Sequence, residues 1–308
     1  HDNPKQDFPI FIKSFYDSVC NDKNYTDIIS GNNSNYYARA LNNNNISAKE
    51  FVTIIGSLYD NNINSNLYNN SNFSIPKTIH QIWFGKEIPQ LYKKNRKNLK
   101  NKHSGWKFIC WSEELINKLF KKKFLNQKLF IKKKNDLNYA GMSDVARYEI
   151  LEKFGGVYID CDFIFFESLE SIHNKCDFYA VIDELSWWTV CANGFIGSKK
   201  NHPILDYCIK TIKKLENQNI SLSHWPNESI NLFGKKSIEN LLEVGPGVFS
   251  NTIISNANLA GNINLIFPAN YFLPKMTAFD RQGPFVSIEA FCYHDWYAQP
   301  KSQGYRWW

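Results

Sequence analysis

The stretch YAGMSDVARYEILEKFGGVYIDCDFIFFES, residues 139–168, decides how the whole chain is read. Met142, Val145, Ala146, Ile150 and Phe154 recur at helical spacing, which predicts a helix with one apolar stripe turned to a core. Gly155-Gly156 then ends it, because glycine takes the left-handed turn that other residues resist. Val157-Tyr158-Ile159 is a short β-prone run leading into Asp160-Cys161-Asp162, and Phe163 to Phe166 continue apolar beyond it. Two carboxylates within an otherwise greasy strand are costly to bury unless something pairs with them. A divalent ion carrying a diphosphate is the obvious partner, and oxygen ligands suit Mg or Mn. A bare Asp-x-Asp is common by chance; here Asp144 and Arg147 precede it, three apart on one helix face.

This constellation resembles the glycosyltransferases with a DxD sugar-binding region, family 32 and the glucosyltransferase domains of large clostridial toxins. Ser143 to Arg147 and Gly155 to Asp162 carry the likeness. Upstream, Ile75-Pro76-Lys77-Thr78-Ile79-His80-Gln81-Ile82-Trp83-Phe84-Gly85 is similar to the family's opening strand, and Trp106 to Trp111 to its second. Asn193-Gly194-Phe195-Ile196-Gly197, Asn201-His202-Pro203 and Gly245-Pro246 also fit, so the likeness covers about residues 75 to 298. It implies a GT-A type α/β fold: a Rossmann-like, mixed, mostly parallel sheet flanked by helices. It also implies a metal-dependent, retaining transferase that moves a hexose from a nucleotide-diphosphate sugar, UDP-sugar favoured, to a glycan or protein acceptor. Mn or Mg is the implied ion.

The residue roles follow from chemistry and likeness together. Asp162 is the first choice for direct metal ligand, and Asp160 for the metal, its water or the ribose. Arg147 offers a rigid fork of donors to sugar hydroxyls or phosphate oxygens, and Asp144 would accept from the sugar. Trp83 is a candidate for stacking on the nucleotide base, or a core tryptophan at a strand end. Tyr158 could touch base or ribose, or face inward. Near the C-terminus, His294 and Trp296 match a family 32 His-x-Trp element, which makes His294 a third metal ligand by resemblance. The Ser302 to Trp307 spacing departs from the family's Ser-Trp pair, so either Trp307 or Trp308 would cover the donor. Asn193 and Asp183 are weaker candidates for the acceptor side, and either could as easily be structural. With no carboxylate standing out as nucleophile, the resemblance implies a same-face mechanism assisted by the departing phosphate.

The rest of the chain bounds the picture. At 308 residues it can hold one large α/β domain, assigned to 75–308, and a small appendage, assigned to 1–74. The appendage is asparagine-rich, and Phe8 to Val19 and Ala48 to Tyr59 have helix-like apolar spacing. It reads as a helical cap on the main domain ahead of a peripheral membrane contact. No window of 18 apolar residues occurs, and neither initiator Met nor signal peptide is seen, so the chain is expected to be an excised domain. The cytosol of its own or a host cell is favoured, as for a toxin-like effector. Seven scattered cysteines match neither a zinc spacing nor a compact disulfide pattern. The lysines 121–123 and 132–134 read as a solvated face, ahead of a phosphate- or membrane-facing one.

A net charge of +7 suits an anionic donor, a nucleic acid or an acidic membrane alike. No basic-aromatic interleaving points to nucleic acid, and no second acidic pair points to a phosphohydrolase. A glycan- or protein-binding module on a catalytically weak transferase fold is the other alternative.

Overall fold

The computed structural model describes residues 75–120, 124–173, 176–185, 188–216, 218–220, 222, 230–231, 234–256, 262–267, 272 and 291–294. The expected appendage at 1–74 and the tryptophans at 307 and 308 lie outside these residues.

Strand β1 (Thr78–Ile82) opens the described chain, followed by α1 (Gln90–Lys102), β2 (Lys107–Trp111), α2 (Glu113–Phe120), α3 (Gln127–Asn135) and α4 (Tyr139–Phe154). Then come β3 (Gly156–Ile159), β4 (Phe163–Phe165), α5 (Glu170–His173), β5 (Phe178–Leu185) and β6 (Trp188–Ser198). Helices α6 (Pro203–Leu215), α7 (Lys235–Glu243) and α8 (Pro246–Asn256) precede β7 (Asn264–Phe267) and β8 (Cys292–His294). Six strands make one sheet in the order β2-β1-β3-β6-β5-β7. The pairs β1·β2, β1·β3 and β5·β7 are parallel, while β6 runs antiparallel to both β3 and β5. This mixed, mostly parallel sheet with flanking helices agrees with the GT-A type arrangement expected from the sequence.

Local signals behave as their chemistry dictates. Ser112 Oγ accepts from the Leu115 N–H at the start of α2, the bond an N-cap serine makes. Gly155 and Gly156 hold φ of 63° and 104°, and a Cβ on Gly156 would lie 2.5 Å from the Thr78 carbonyl oxygen. The glycine pair thus supplies both the turn and the close approach of β3 to β1. All six cysteines among the described residues are free thiols.

Two expectations are corrected. Helix α4 does not present a single apolar stripe: from Gly141 to Leu151 nearly every residue is buried, including Asp144, Arg147 and Glu149. It packs against the sheet, α3 and α6 together, and its charged groups are buried because each finds partners there. Nor is the lysine run at 132–134 wholly solvated. Lys133 is buried and pairs at 2.6 Å with Glu243 of α7, tying α3 to α7.

Glu149 marks a pH-sensitive joint. Its carboxylate accepts from the backbone N–H groups of Asn126 and Leu125 at 2.9 and 3.2 Å, capping α3. Burial pushes its pKa up to about 7 in spite of those bonds. A raised carboxyl pKa means the folded state holds a proton the unfolded chain has lost, so this contribution fades as pH rises from about 4.5 to about 7. Buried His80, His173 and His202, lowered by burial to about 4, 4 and 3, act oppositely, losing stability as pH falls below about 6.5. Glu149→Gln is therefore expected to gain on the parent as pH rises from 5 to 8, by up to about 3 kcal/mol. Urea unfolding of both proteins across that range reads the difference, and parallel pH profiles would refute it.

Candidate active site

The parallel pairing of β1 with β3 puts their carboxyl ends side by side, so Trp83 and Asp160 leave the sheet at one edge. The Asp160-Cys161-Asp162 run is not part of a continuous strand. It forms the turn between β3, in the main sheet, and β4, which pairs antiparallel with β8 in a two-stranded ribbon. Apolar residues flank the turn on both sides and so imitate one strand in the sequence. The ribbon register sets His294 opposite Phe163, next in sequence to Asp162. The His294 backbone is therefore beside the acidic turn; its side chain is outside the described residues, as is that of Asp183.

Asp144, Arg147, Tyr158 and Asp160 do converge. The Arg147 guanidinium lies 3.0 Å from the Asp144 carboxylate and 3.6 Å from that of Asp160. It also donates to the Asn193 carbonyl at 2.7 Å and sits 4.5 Å from the Tyr158 ring centroid. Tyr158 is buried, and its hydroxyl donates to Asp160 Oδ1 at 2.6 Å. Tyr158 thus braces the first aspartate. The Asp160 side chain keeps 29% of its surface exposed, whereas Asp162 is buried. Asp160 Oδ2 lies against Gly194, where a Cβ would come within 2.5 Å.

Burial raises the Asp144 pKa, with Arg147 opposing and the nearby Asp160 reinforcing the shift. For Arg147, burial alone would lower the pKa, yet Tyr158, Asp160 and Asp144 outweigh it and the guanidinium is held firmly charged. One cation thus serves two carboxylates, leaving the centre acidic.

Several further contacts fix this geometry. Asn193 Nδ2 donates to Asp144 Oδ1 and to the Tyr148 hydroxyl, both at 2.9 Å, and Asn240 of α7 donates to Asp144 Oδ2 at 3.2 Å. Asn193, open to an acceptor-side or a structural role from the sequence, holds the carboxylate of α4. Helix α1, which reads only as basic, braces the acidic turn. Asn95 Nδ2 donates to the Cys161 carbonyl at 3.4 Å, while Asn98 exchanges two hydrogen bonds with the Phe165 backbone. Arg96 reaches Gln81 and approaches the Cys161 sulfur at 3.9 Å. Trp83 is half-buried, packs 5.3 Å from Tyr92, and donates Nε1–H to the Lys86 carbonyl at 2.7 Å. Among the described residues, no three His, Cys, Asp or Glu side chains gather as a metal cluster. The two aspartates offer hard oxygen donors at a strand end, a donor set that fits Mg or Mn.

The chain is similar to several known proteins. Residues 89–179 match the family described as glycosyltransferase sugar-binding region containing DXD motif. An uncharacterized glycosyltransferase of Acanthamoeba polyphaga mimivirus is 33% identical over 140 residues, which are 45% of this chain and 55% of that protein. Inositol phosphoceramide mannosyltransferase 3 of Schizosaccharomyces pombe is 26% identical over 156 residues, covering 50% of this chain and 42% of its own length. A mannosyl phosphorylinositol ceramide synthase of Saccharomyces cerevisiae is 30% identical over 144 residues, 45% and 35% of the two chains. The chain thus spans about half, or less, of these curated relatives. Among solved structures, the PaToxG glycosyltransferase aligns with a TM-score of 0.46 at 19% identity, covering 67% of this chain and 78% of its own. The UDP-bound glycosyltransferase domain from the YGT toxin aligns with a TM-score of 0.46 at 11% identity, covering 63% and 80%. The matched segment holds Asp144, Arg147, Asp160 and Asp162, so the similarity to the glycosyltransferase sugar-binding region containing a DXD motif falls on the residues that build this site.

Proposed function

We propose that this chain transfers a hexose from a nucleoside diphosphate sugar, with a divalent ion, retaining the anomeric configuration. The observation that carries the proposal is the buried Arg147 held between Asp144 and Asp160 at the carboxyl ends of β1 and β3. Asp160 and Asp162 would hold Mn or Mg, and His294, whose backbone pairs with Phe163 beside the acidic turn, would join them. When bound, such an ion neutralises charge growing on the leaving diphosphate. Arg147 and Asp144 orient the sugar: the guanidinium donates, and the carboxylate, fixed by Asn193 and Asn240, accepts. Trp83 lies at the same edge for the nucleotide base. Trp307 or Trp308 would cover the donor and keep water from the activated sugar. The mannosyl and ceramide in the relatives' names make mannose the first sugar to test and a glycolipid headgroup the first acceptor, beside glycans and proteins. The division at residue 74 and an N-terminal helical cap belong to the same proposal.

The test is donor hydrolysis and donor-induced thermal stabilisation over a panel of UDP- and GDP-hexoses, with Mn and with chelator. Ligand at about a hundred times its Kd should stabilise by about 2.7 kcal/mol. One Mn-dependent donor that both stabilises and turns over is expected. Hydrolysis of simple phosphate esters instead would favour a phosphohydrolase, and stabilisation by glycans alone a binding module.

A further inference from the structure

We propose that α2, α3 and the turn after α3 form a surface that docks on an anionic lipid bilayer. The first observation is at Leu137. Helix α3 ends with the Asn138 N–H bonded to the Lys133 carbonyl and the Leu137 N–H to the Lys134 carbonyl, the paired closure in which glycine ordinarily takes the left-handed position. Here that position is Leu137, at φ 55°, and its side chain is 72% exposed. Neither backbone preference nor burial explains a leucine there. Strain retained at an exposed apolar residue is the kind of outlier from which function is inferred.

Leu137 is not isolated. Six large hydrophobic residues are exposed among the described residues; Leu119 at 41%, Ile131 at 47% and Leu137 fall in this unit, and Leu125 at 44% lies just before α3. Ile131 borders a cleft of about 270 Å³ between α2 and α3, floored by Ile116, Phe120 and Phe130. Charge completes the case. Among the described lysines of residues 113–137, Lys118, Lys128 and Lys132 are exposed, while Lys133 and Lys134 pair with Glu243 and Glu113. Exposed aliphatic side chains among lysines match the two forces of an acidic bilayer, apolar insertion and attraction to anionic headgroups. A protein partner would more often be met by aromatic side chains and fewer lysines. The surface also adjoins the site. Asn138, next to Leu137, caps α4, and Asp144 lies about 8 Å along that helix from its first residue at 1.5 Å per residue.

The experiment is co-sedimentation of the full chain with phosphatidylcholine vesicles and with vesicles containing about 30 mol % phosphatidylserine. Binding to the second and not the first is expected, weakening as salt rises. Lys128→Glu with Lys132→Glu should lower partitioning by at least about 25-fold, each lysine counting for about fivefold. Leu137→Gly should lower it about tenfold while leaving Tm unchanged or higher, since glycine relieves the left-handed backbone. Tyr207→Ser, which alters an exposed residue of α6, should change nothing. Equal binding to both vesicle types would overturn the proposal. So would undiminished binding by the lysine variant, which would assign the membrane to residues 1–74.

Discussion

Asp162→Asn is expected to lower sugar transfer by about a hundred- to a thousandfold, the usual effect of removing one preorganised group that stabilises transition-state charge. Asp160→Asn should do the same, and both proteins should unfold near the parent's temperature. The expectation rests on where the two carboxylates sit. They occupy a turn braced from α1 by Asn95 and Asn98, so its shape does not depend on their charge. The amide keeps the volume of the carboxylate and loses only its affinity for a hard cation. Transfer should be measured at saturating Mn, and stability by thermal melting. Near-parental turnover for both variants would remove the metal-binding assignment; a fall in Tm of ten degrees or more would mean that the charges serve the fold instead.

The second large effect is at Arg147, where two substitutions separate structure from chemistry. Arg147→Ala leaves the buried Asp144 carboxylate without its cation, which should cost about 3–5 kcal/mol. Asp144, its pKa already raised by burial, would then be driven toward the protonated form. Arg147→Lys returns a charge but not the planar fork, and the Asn193 carbonyl and two carboxylates cannot all be met by an ammonium. Its stability should recover in large part while transfer stays depressed by about a hundredfold. Recovery of transfer in the lysine variant would show that Arg147 supplies charge alone.

Helix α4, its glycine ending and β3 were legible, because helical apolar spacing, a glycine pair and a β-prone run are local signals; the break between β3 and β4 was not, because apolar residues flank the acidic turn on both sides. The site was legible only where its parts are near in sequence, as with Asp144 to Asp162. Asn240 reaches Asp144 from 96 residues away, and an asparagine in an asparagine-rich chain announces nothing. Asn95, Arg96 and Asn98 were hidden for a related reason: α1 is so basic that its inward polar contacts look like a solvated surface. Hydrophobic periodicity also misjudged α4, since buried Asp144, Arg147 and Glu149 count as polar in the pattern while their partners come from elsewhere in the fold.

The ribbon of β4 and β8 has a consequence for how the chain is made. Phe163 and His294 pair across 131 positions, so β4 leaves the ribosome long before its partner exists. At about 5–20 residues per second, the Phe163-Ile164-Phe165 edge waits on the order of ten seconds, unpaired and apolar. During that interval the acidic turn is held by β3 and by Asn95 and Asn98 of α1, without its ribbon partner. Sugar-transfer competence should therefore arrive abruptly as synthesis passes His294, and chains stalled earlier should be inert and prone to self-association.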